Sequence, residues 1–246
     1  MKLKYRETGE GAPIILLHGW GGSSASLENL ATILSNSGYK IYNIDLPGFG
    51  DSLAPKDPYS INNYVEDIKE FISSKRIDKP VIVGHSFGGK IGLFLAVKYP
   101  MLLFKLILVN SSGIKPKASL KVRLKYIFAK IGGAIFWLPP FILIRPVAKF
   151  LYYKLIVKEY DYYKSKSLRE TFKKVVTEHI DGKLDRIKTN TLLIWARNDK
   201  QTPLAQGLEL SRGIANSRLE IIEGTGHNLP VLYPQIVAEL IIKFLN

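Results

Sequence analysis

The sequence predicts an α/β protein in which a mostly parallel central sheet has helices on both faces and carries an inserted helical cap. Three observations support this class. Short apolar runs alternate with stretches of helical period, the apolar runs are nearly continuous, and one long basic segment interrupts the alternation. Continuous apolar strands are typical of parallel sheets that are buried on both faces. The 246 residues are enough for one large domain with an insertion.

The alternation is plainest ahead of residue 112, where each apolar run ends near Gly or Pro, as buried strands do. Helices are indicated between the runs by apolar residues three and four apart, with Ser60 as an N-cap and Gly38 as a stop. We predict strands in APIILLHG, YKIYNIDLPGFG, residues 81–84 and FKLILVNSS, and helices in SLENLATILSNSG, SINNYVEDIKEFISSK and residues 87–98.

The same pattern resumes after residue 185, so residues 112–185 are predicted to be an insertion between two strands of one sheet. The core would then comprise residues 1–111 and 186–246. The insertion is predicted to be a helical lid, because SLKVRLKYIFAKI and RPVAKFLYYKLIV are both amphipathic at helical spacing. The later core elements are predicted as the strand NTLLIWARND, the helix TPLAQGLELSRGI, the strand and turn SRLEIIEGTGH and the helix YPQIVAELIIKFLN.

Most of the net charge lies in the inserted segment. The chain carries +14, and from Lys115 to Ile180 its 15 Lys and Arg against 4 Asp and Glu give +11. Twelve of the 27 aromatic residues lie there too. Such a surface suits an anionic partner: an acidic carrier protein, an anionic membrane surface or a free anionic substrate. A solvated basic face is the alternative. Nucleic acid also fits the charge, but the sequence has no nucleic-acid-binding motif, so we do not expect nucleic acid to bind.

Composition also limits the chemistry and the location. The absence of cysteine excludes disulfides, thiolate metal sites and cysteine nucleophiles. The start, MKLKYRETGEGAP, lacks the apolar centre of a secretory signal. The longest uncharged run of the insertion, Ile131–Ile144, has 14 residues, fewer than the roughly 20 that a membrane span needs. We expect a cytoplasmic protein, with peripheral membrane contact as one use of the basic segment.

The stretch VIVGHSFGG places one serine at a predicted strand–helix junction. Gly84 and Gly88 stand two residues either side of Ser86 and leave room for a tight turn, in which the serine holds a strained backbone and an outward hydroxyl. This is the G-x-S-x-G nucleophile elbow in its strand–turn–helix context. On the pentapeptide alone, a glycine-rich turn with an incidental serine is the alternative.

A serine nucleophile needs a base, and the base needs an acid that orients it. Of the four histidines, His227 is the candidate base, because EGTGHNLP follows the last predicted strand. His85 is next to the serine and is expected to point away from a shared site. Asp199 follows the strand in LLIWARNDKQTP; by itself it could equally be a turn or N-cap residue. The order Ser86, Asp199, His227 is the acid-then-base order of this architecture.

The oxyanion of an acyl-transfer intermediate needs backbone N–H donors, each worth roughly 3 kcal/mol. The glycine-rich loop HGWGG follows the first long strand, and a helix begins directly after Ser86. The amides of Trp20 and Phe87 are therefore the predicted oxyanion hole. This chemistry requires no metal and no organic cofactor.

Taken together, these motifs resemble the α/β-hydrolase superfamily over nearly the whole chain. The resemblance implies the fold above, a cap at residues 112–185, and a structural rather than catalytic role for His18 and for Asp45, Asp51 and Ser52. The resemblance rests on five motifs: HGWGG at 18–22, DLPGFGDS at 45–52, GHSFGG at 84–89, WARND at 195–199 and GH at 226–227.

The motifs HGWGG and DLPGFG are also similar to those of small carboxylesterases such as the pimeloyl-carrier-protein methyl ester esterases. The resemblance implies a serine carboxylesterase that acts on an ester with a hydrophobic acyl group. Ser86 argues against haloalkane dehalogenases and epoxide hydrolases, which resemble this fold but use Asp at the elbow. Lactonases, C–C bond hydrolases, cofactor-free perhydrolases and a non-catalytic ligand receptor on the same fold stay open.

Overall fold

The computed structural model describes residues 2–115 and 166–246, and within them seven strands form one sheet in the order β1-β3-β2-β4-β5-β6-β7. Strand β1 pairs with β3 in the antiparallel sense, and every other neighbouring pair is parallel. This confirms the mostly parallel sheet. The strands are β1 (Lys4–Thr8), β2 (Ala12–Leu17), β3 (Tyr39–Asp45), β4 (Val81–His85), β5 (Lys105–Val109), β6 (Asn190–Ala196) and β7 (Ser217–Ile222).

The described residues also form seven α-helices, which cover the sheet on both faces. Helices α1 and α7 pack together on one face, and α2, α3 and α5 belong to the apolar core of the other. The helices are α1 (Glu28–Asn36), α2 (Ile61–Ser74), α3 (Phe87–Lys98), α4 (Lys166–Thr177), α5 (Leu204–Gly213), α6 (Leu229–Leu232) and α7 (Pro234–Leu245), with short 3₁₀ turns at Ser24–Leu27 and Leu184–Arg186.

Strand β2 shows why the predicted strands read as continuous apolar runs. Ile14 and Leu16 point into the core beneath α1 and α7, whereas Ile15 and Leu17 point into the opposite core. All four side chains are fully buried, because successive residues of a strand face opposite sides of the sheet and both sides are covered. The strand therefore has no polar face that would reveal a period of two.

Strand β1 is an element that the sequence analysis did not predict. Four of its five residues are exposed, and it pairs only with β3, in a register that sets Lys4 opposite Asp45. An exposed edge strand has no buried face to mark it. The apolar pattern that identifies the inner strands is therefore absent from KYRET.

Packing groups Met1–Lys115 with Ser167–Asn246 in one compact unit and leaves Pro116–Lys166 as a second. The predicted insertion, 112–185, is longer than this second unit at both ends. The reason lies in the contacts of its ends: the Ile180 N–H donates to the Gly113 carbonyl at 2.8 Å, and Ile180 is buried in the core. The helical content predicted for residues 116–165, and most of the basic segment, lie outside the described residues.

Helix α4 packs on the core from Ser167 onward. The Ser167 hydroxyl donates to the Pro55 carbonyl at 2.7 Å, and the Thr171 hydroxyl accepts from the Tyr59 N–H at 2.9 Å. Near its other end, the buried Lys90 ammonium donates to the Val175 carbonyl. Of the helices in the described ranges, none combines the length and the apolar composition that a bilayer crossing requires.

Candidate active site

The predicted site residues converge at the carboxyl edge of the parallel sheet. Trp20 follows β2, Ser86 follows β4, Asp199 follows β6 and His227 follows β7. Because β2, β4, β5, β6 and β7 are neighbours and run in the same direction, their ends lie along one edge. Loops at this edge are the usual place for a site in open α/β sheets.

Ser86 occupies the sharp corner between β4 and α3. Its backbone has φ 51° and ψ −108°, a conformation that few residues other than glycine adopt. The corner is tied down, because the Ser86 N–H donates to the Val109 carbonyl and its own carbonyl accepts from the N–H groups of Lys90 and Ser112, each at 3.1 Å. Strain of this kind persists only where the surroundings enforce it.

The glycines of the elbow are required by close packing, as the sequence analysis predicted. A Cβ atom on Gly84 would lie 2.5 Å from the Gly88 oxygen and from the Gly89 nitrogen, and one on Gly88 would overlap the backbone of Leu17. These neighbours are main-chain atoms that cannot swing aside. The strand and the helix can therefore approach closely enough for the corner only where both positions lack a side chain.

Ser86, His227 and Asp199 form one hydrogen-bonded chain. The Ser86 Oγ lies 2.9 Å from His227 Nε2, and His227 Nδ1 lies 2.7 Å from Asp199 Oδ2. The carboxylate can only accept, so Nδ1 carries the proton and Nε2 is left to accept the serine proton. The structure thus brings together the predicted nucleophile, base and acid in that order along one hydrogen-bonded chain.

The environment of Asp199 keeps its carboxylate ionised. Its Oδ1 accepts from the N–H groups of Gln201 and Thr202 at 2.7 and 2.9 Å, and its Oδ2 accepts from the Thr202 hydroxyl at 2.7 Å. Burial acts to raise the pKa of Asp199, but the hydrogen bonds from His227 and Thr202 outweigh it and hold the pKa below its usual value. A full negative charge therefore faces the imidazole.

The two predicted oxyanion donors stand on either side of the elbow. Phe87 is the first residue of α3, so its N–H has no acceptor within the helix. Trp20 is the first central residue of a turn that closes from the Gly22 N–H to the Gly19 carbonyl at 3.1 Å, and this turn does not use the Trp20 N–H. The rings of Trp20 and Phe87 meet edge to face with centroids 5.1 Å apart.

His18 and the DLPGFGDS loop have contacts that fit the structural roles that the resemblance implied. His18 Nδ1–H donates to the Gly19 carbonyl at 2.7 Å, and Nε2 accepts from the Leu46 N–H at 3.0 Å. Burial lowers the pKa of His18 to about 4, so it stays neutral. The Asp45 carboxylate accepts from the Asp51 N–H at 3.0 Å, and the Ser52 hydroxyl donates to the Asp45 carbonyl at 2.7 Å.

Sequence reasoning missed three residues that support the site: His85, Asn110 and Thr202. His85 was predicted to point away from a shared site, but its ring lies 5.1 Å from that of His227, and its Nε2 lies 2.9 Å from the main-chain oxygen of His227. Asn110 donates to that same oxygen at 2.8 Å. Asn110 comes directly after β5, and that position gave no signal of its partners. Thr202 contacts Asp199, three residues earlier, a spacing that is typical of turns closed by an Asp side chain.

Comparison with known proteins agrees with this fold. A family model described as the alpha/beta hydrolase fold matches residues 12–133. The chain belongs to the α/β-hydrolase superfamily, which confirms the resemblance of its motifs, and the protein is a hydrolase of that class.

Among curated relatives, the chain is 26% identical over 244 residues to the 2-hydroxy-6-oxo-6-phenylhexa-2,4-dienoate hydrolase of Comamonas testosteroni, an alignment that covers 92% of this chain and 84% of that protein. It is 24% identical over 255 residues to a monoacylglycerol lipase of Bos taurus, covering 94% of this chain and 74% of that protein.

Solved structures share the fold. A serine hydrolase involved in carbazole degradation superimposes with a TM-score of 0.76 at 24% identity, covering 99% of this chain and 94% of the other. A thermophilic esterase from Thermogutta terrifontis superimposes with a TM-score of 0.72 at 20% identity, covering 99% and 92%.

Proposed function

We propose that this protein is a serine hydrolase that cleaves carboxylic esters through an acyl-enzyme intermediate. The observation that carries the proposal is the hydrogen-bonded chain from Ser86 Oγ to His227 Nε2, at 2.9 Å, and from His227 Nδ1 to Asp199 Oδ2, at 2.7 Å. These distances allow proton transfer from the hydroxyl to the imidazole with no rearrangement.

In the first half of the reaction, Ser86 Oγ adds to the ester carbonyl while His227 Nε2 takes the hydroxyl proton. The ionised Asp199 stabilises the imidazolium and fixes the tautomer. When the tetrahedral intermediate collapses, its bond to the alcohol oxygen breaks, and His227 gives its proton to that oxygen. The alcohol leaves, and the acyl group stays on Ser86.

In the second half, a water molecule takes the place of the alcohol. His227 removes one proton from it, the hydroxyl oxygen adds to the acyl carbon, and Ser86 leaves with the proton returned by His227. In both halves the N–H groups of Trp20 and Phe87 would stabilise the oxyanion. Removal of one such donor typically costs 10²–10³ in kcat.

A C–C bond hydrolase with the same triad is the second candidate, and the relatives favour it. Two curated relatives carry the names of 2-hydroxy-6-oxo-hexadienoate-type hydrolases, at 26% and 34% identity, the second over 119 residues only. The same serine, histidine and aspartate would serve either reaction, so the geometry around Ser86 does not favour one over the other. A lactonase would also use this constellation.

A substrate panel tests the proposal. Purified protein is assayed with p-nitrophenyl esters of increasing acyl length, with lactones and with a vinylogous diketone, and Ser86→Ala is the control. We expect the esters to have the highest kcat/KM and to show a preferred acyl length. Faster turnover of the diketone would establish the C–C hydrolase instead. Tight binding of an ester with no turnover would favour a non-catalytic receptor.

We also propose that the basic segment recruits an anionic partner to this cytoplasmic enzyme, either an acidic carrier protein or an anionic membrane surface. The support is the +11 between Lys115 and Ile180. The Debye screening length shortens from about 8 Å at physiological ionic strength to about 3 Å at 1 M salt. Binding of an anionic partner should therefore weaken steeply as salt is added. Co-sedimentation with anionic and neutral vesicles at both salt concentrations tests the membrane; equal binding to both would contradict it.

A further inference from the structure

The main-chain carbonyl of His227 is held by two side chains from neighbouring strand ends. His85, the last residue of β4, has Nε2 at 2.9 Å from this oxygen, and Asn110, directly after β5, has Nδ2 at 2.8 Å. Both side chains are buried, at 7% and 0% exposure. Two directed donors on one carbonyl fix the backbone position from which the imidazole projects.

Asn110 joins this carbonyl to the loop of the acid. Its Nδ2 also donates to the Gly226 oxygen at 3.0 Å, and its Oδ1 accepts from the Ala196 N–H at 2.8 Å, three residues before Asp199. Its own carbonyl accepts from the Thr202 hydroxyl at 3.0 Å. Asn110 has φ 44°, a left-handed conformation that asparagine tolerates better than most residues.

The loop that carries His227 contains two glycines, Gly224 and Gly226. Gly224 has φ 67°, and among the described residues no atom beyond the chain neighbours lies within 4 Å of where a Cβ on Gly224 or Gly226 would stand. Glycines lose more conformational freedom on folding than other residues, so the EGTGHN loop is held chiefly by hydrogen bonds. A shift of about 1 Å in a reacting group can cost about 10²-fold in rate.

The geometry points to His85 and Asn110 as positioning residues that act together, through the His227 carbonyl, to hold the imidazole at Ser86. This inference rests on the proposed function, since it takes His227 to be the base. His85 must carry its proton on Nε2, because a carbonyl only accepts. Burial, with a smaller contribution from His227, lowers the pKa of His85 to about 4, so no second positive charge opposes the imidazolium.

Paired variants test the inference. His85→Leu removes the donor and keeps an apolar side chain, whereas His85→Gln places an amide N–H near the position of Nε2. Asn110→Ala removes both donors, and Asn110→Asp removes them but keeps the shape. Asn43→Ala is the matched control, because Asn43 is equally buried and donates to the Ser24 carbonyl at 2.8 Å, away from His227.

The readouts are the rate at which a fluorophosphonate labels Ser86, kcat and KM for the best ester, and the proton NMR signal of His227 Nδ1–H. We expect His85→Leu and Asn110→Ala to slow labelling and kcat by about 10- to 100-fold, with KM nearly unchanged and the NMR signal shifted or broadened. His85→Gln should keep labelling and kcat within about threefold of wild type, and Asn43→Ala should change only the melting temperature.

Labelling at the wild-type rate by folded His85→Leu and by a folded Asn110 variant would overturn the inference. So would an equal loss in His85→Gln and His85→Leu, because the donor would then be irrelevant. If Asn110→Ala does not fold, Asn110→Asp and the His85 pair decide. Labelling needs no ester substrate, so a wild type that labels but turns over no ester would refute the proposed function and leave this inference standing.

Discussion

The proposed nucleophile, Ser86, and the proposed base, His227, are held in different ways. Ser86 is fixed by main-chain hydrogen bonds to Val109, Lys90 and Ser112, in a strained corner where a Cβ on Gly84 would overlap main-chain atoms. His227 lies in an open glycine loop and is held by side chains more than 100 residues earlier in the chain, at His85 and Asn110. Main-chain packing and hydrogen bonds therefore hold one half of the site, and side-chain hydrogen bonds hold the other.

The largest effect should follow from removal of the nucleophile. Ser86→Ala removes only a hydroxyl, so the fold should persist while kcat for the best ester falls by about 10⁶. His227→Ala should match it, since the two act as a unit. Kinetics with circular dichroism check this; a folded Ser86→Ala protein with a tenth of the wild-type activity would refute the assignment.

Substitution of the proposed acid, Asp199, tests the half of the site that side-chain hydrogen bonds hold. Asp199→Asn keeps the shape of the side chain but favours the wrong imidazole tautomer, and kcat should fall by about 10⁴. Asp185→Asn is the control, because Asp185 is exposed in the 3₁₀ turn Leu184–Arg186 and should leave kcat unchanged. Should the two variants exchange these results, the acid has been misassigned.

Low pH should lower the free energy of unfolding, because His18 and His85 are buried as neutral histidines. Burial lowers the pKa of His18 and of His85 to about 4, from about 6.5 when unfolded. Between pH 4 and pH 6.5 the unfolded chain therefore binds more protons than the folded protein. The free energy of unfolding keeps its full value above pH 6.5 and decreases as the pH falls toward 4. Each histidine contributes about 3 kcal/mol to this loss.

Denaturant unfolding of wild type and His18→Gln at pH 7 and pH 4 measures the contribution of His18. The variant lacks one titrating group, so its free energy of unfolding should fall by about 3 kcal/mol less than that of the wild type between the two pH values. Parallel curves for the two proteins would show that His18 does not titrate as its burial implies.

The smallest expected effect is a difference in stability between two glycine substitutions, one at Gly84 near Ser86 and one at Gly226 next to His227. Gly84→Ala should cost about 1–3 kcal/mol of stability through overpacking, because its Cβ would meet main-chain atoms. In Gly226→Ala the new Cβ meets nothing within 4 Å, so the melting temperature should change little. Equal losses in the two variants would mean that the elbow is no more tightly packed than the base loop.

The same contrast explains how much could be predicted from the sequence. The parallel sheet, the helix after Ser86 and the elbow depend on neighbours in the chain, and their residue patterns showed them. Asp199 and His227 could be selected because each follows a strand, and parallel strands end at one edge. The partners of His85, Asn110 and Thr202 are set by which strands lie side by side, and a single sequence does not give that order.

Two features of the fold were not indicated by the sequence, for related physical reasons. Strand β1 was missed because an exposed edge strand has no apolar face. The predicted insertion, 112–185, includes the basic helix α4, and Thr171 and Val175 of that helix are buried against the core. Charge on the outer face of a helix does not report what its inner face covers.

The charges of β1 have a further consequence, for the behaviour of the protein in concentrated solution. A strand at the edge of a sheet offers unpaired main-chain groups to which a strand of another molecule can add. Along β1 these groups are flanked by Lys4, Arg6 and Glu7, and the last two pair with Glu28 and Lys40 at 3.0 and 2.8 Å. An incoming strand would have to bury or displace these charges, so the pattern that hid β1 from prediction also protects the molecule against edge-to-edge aggregation.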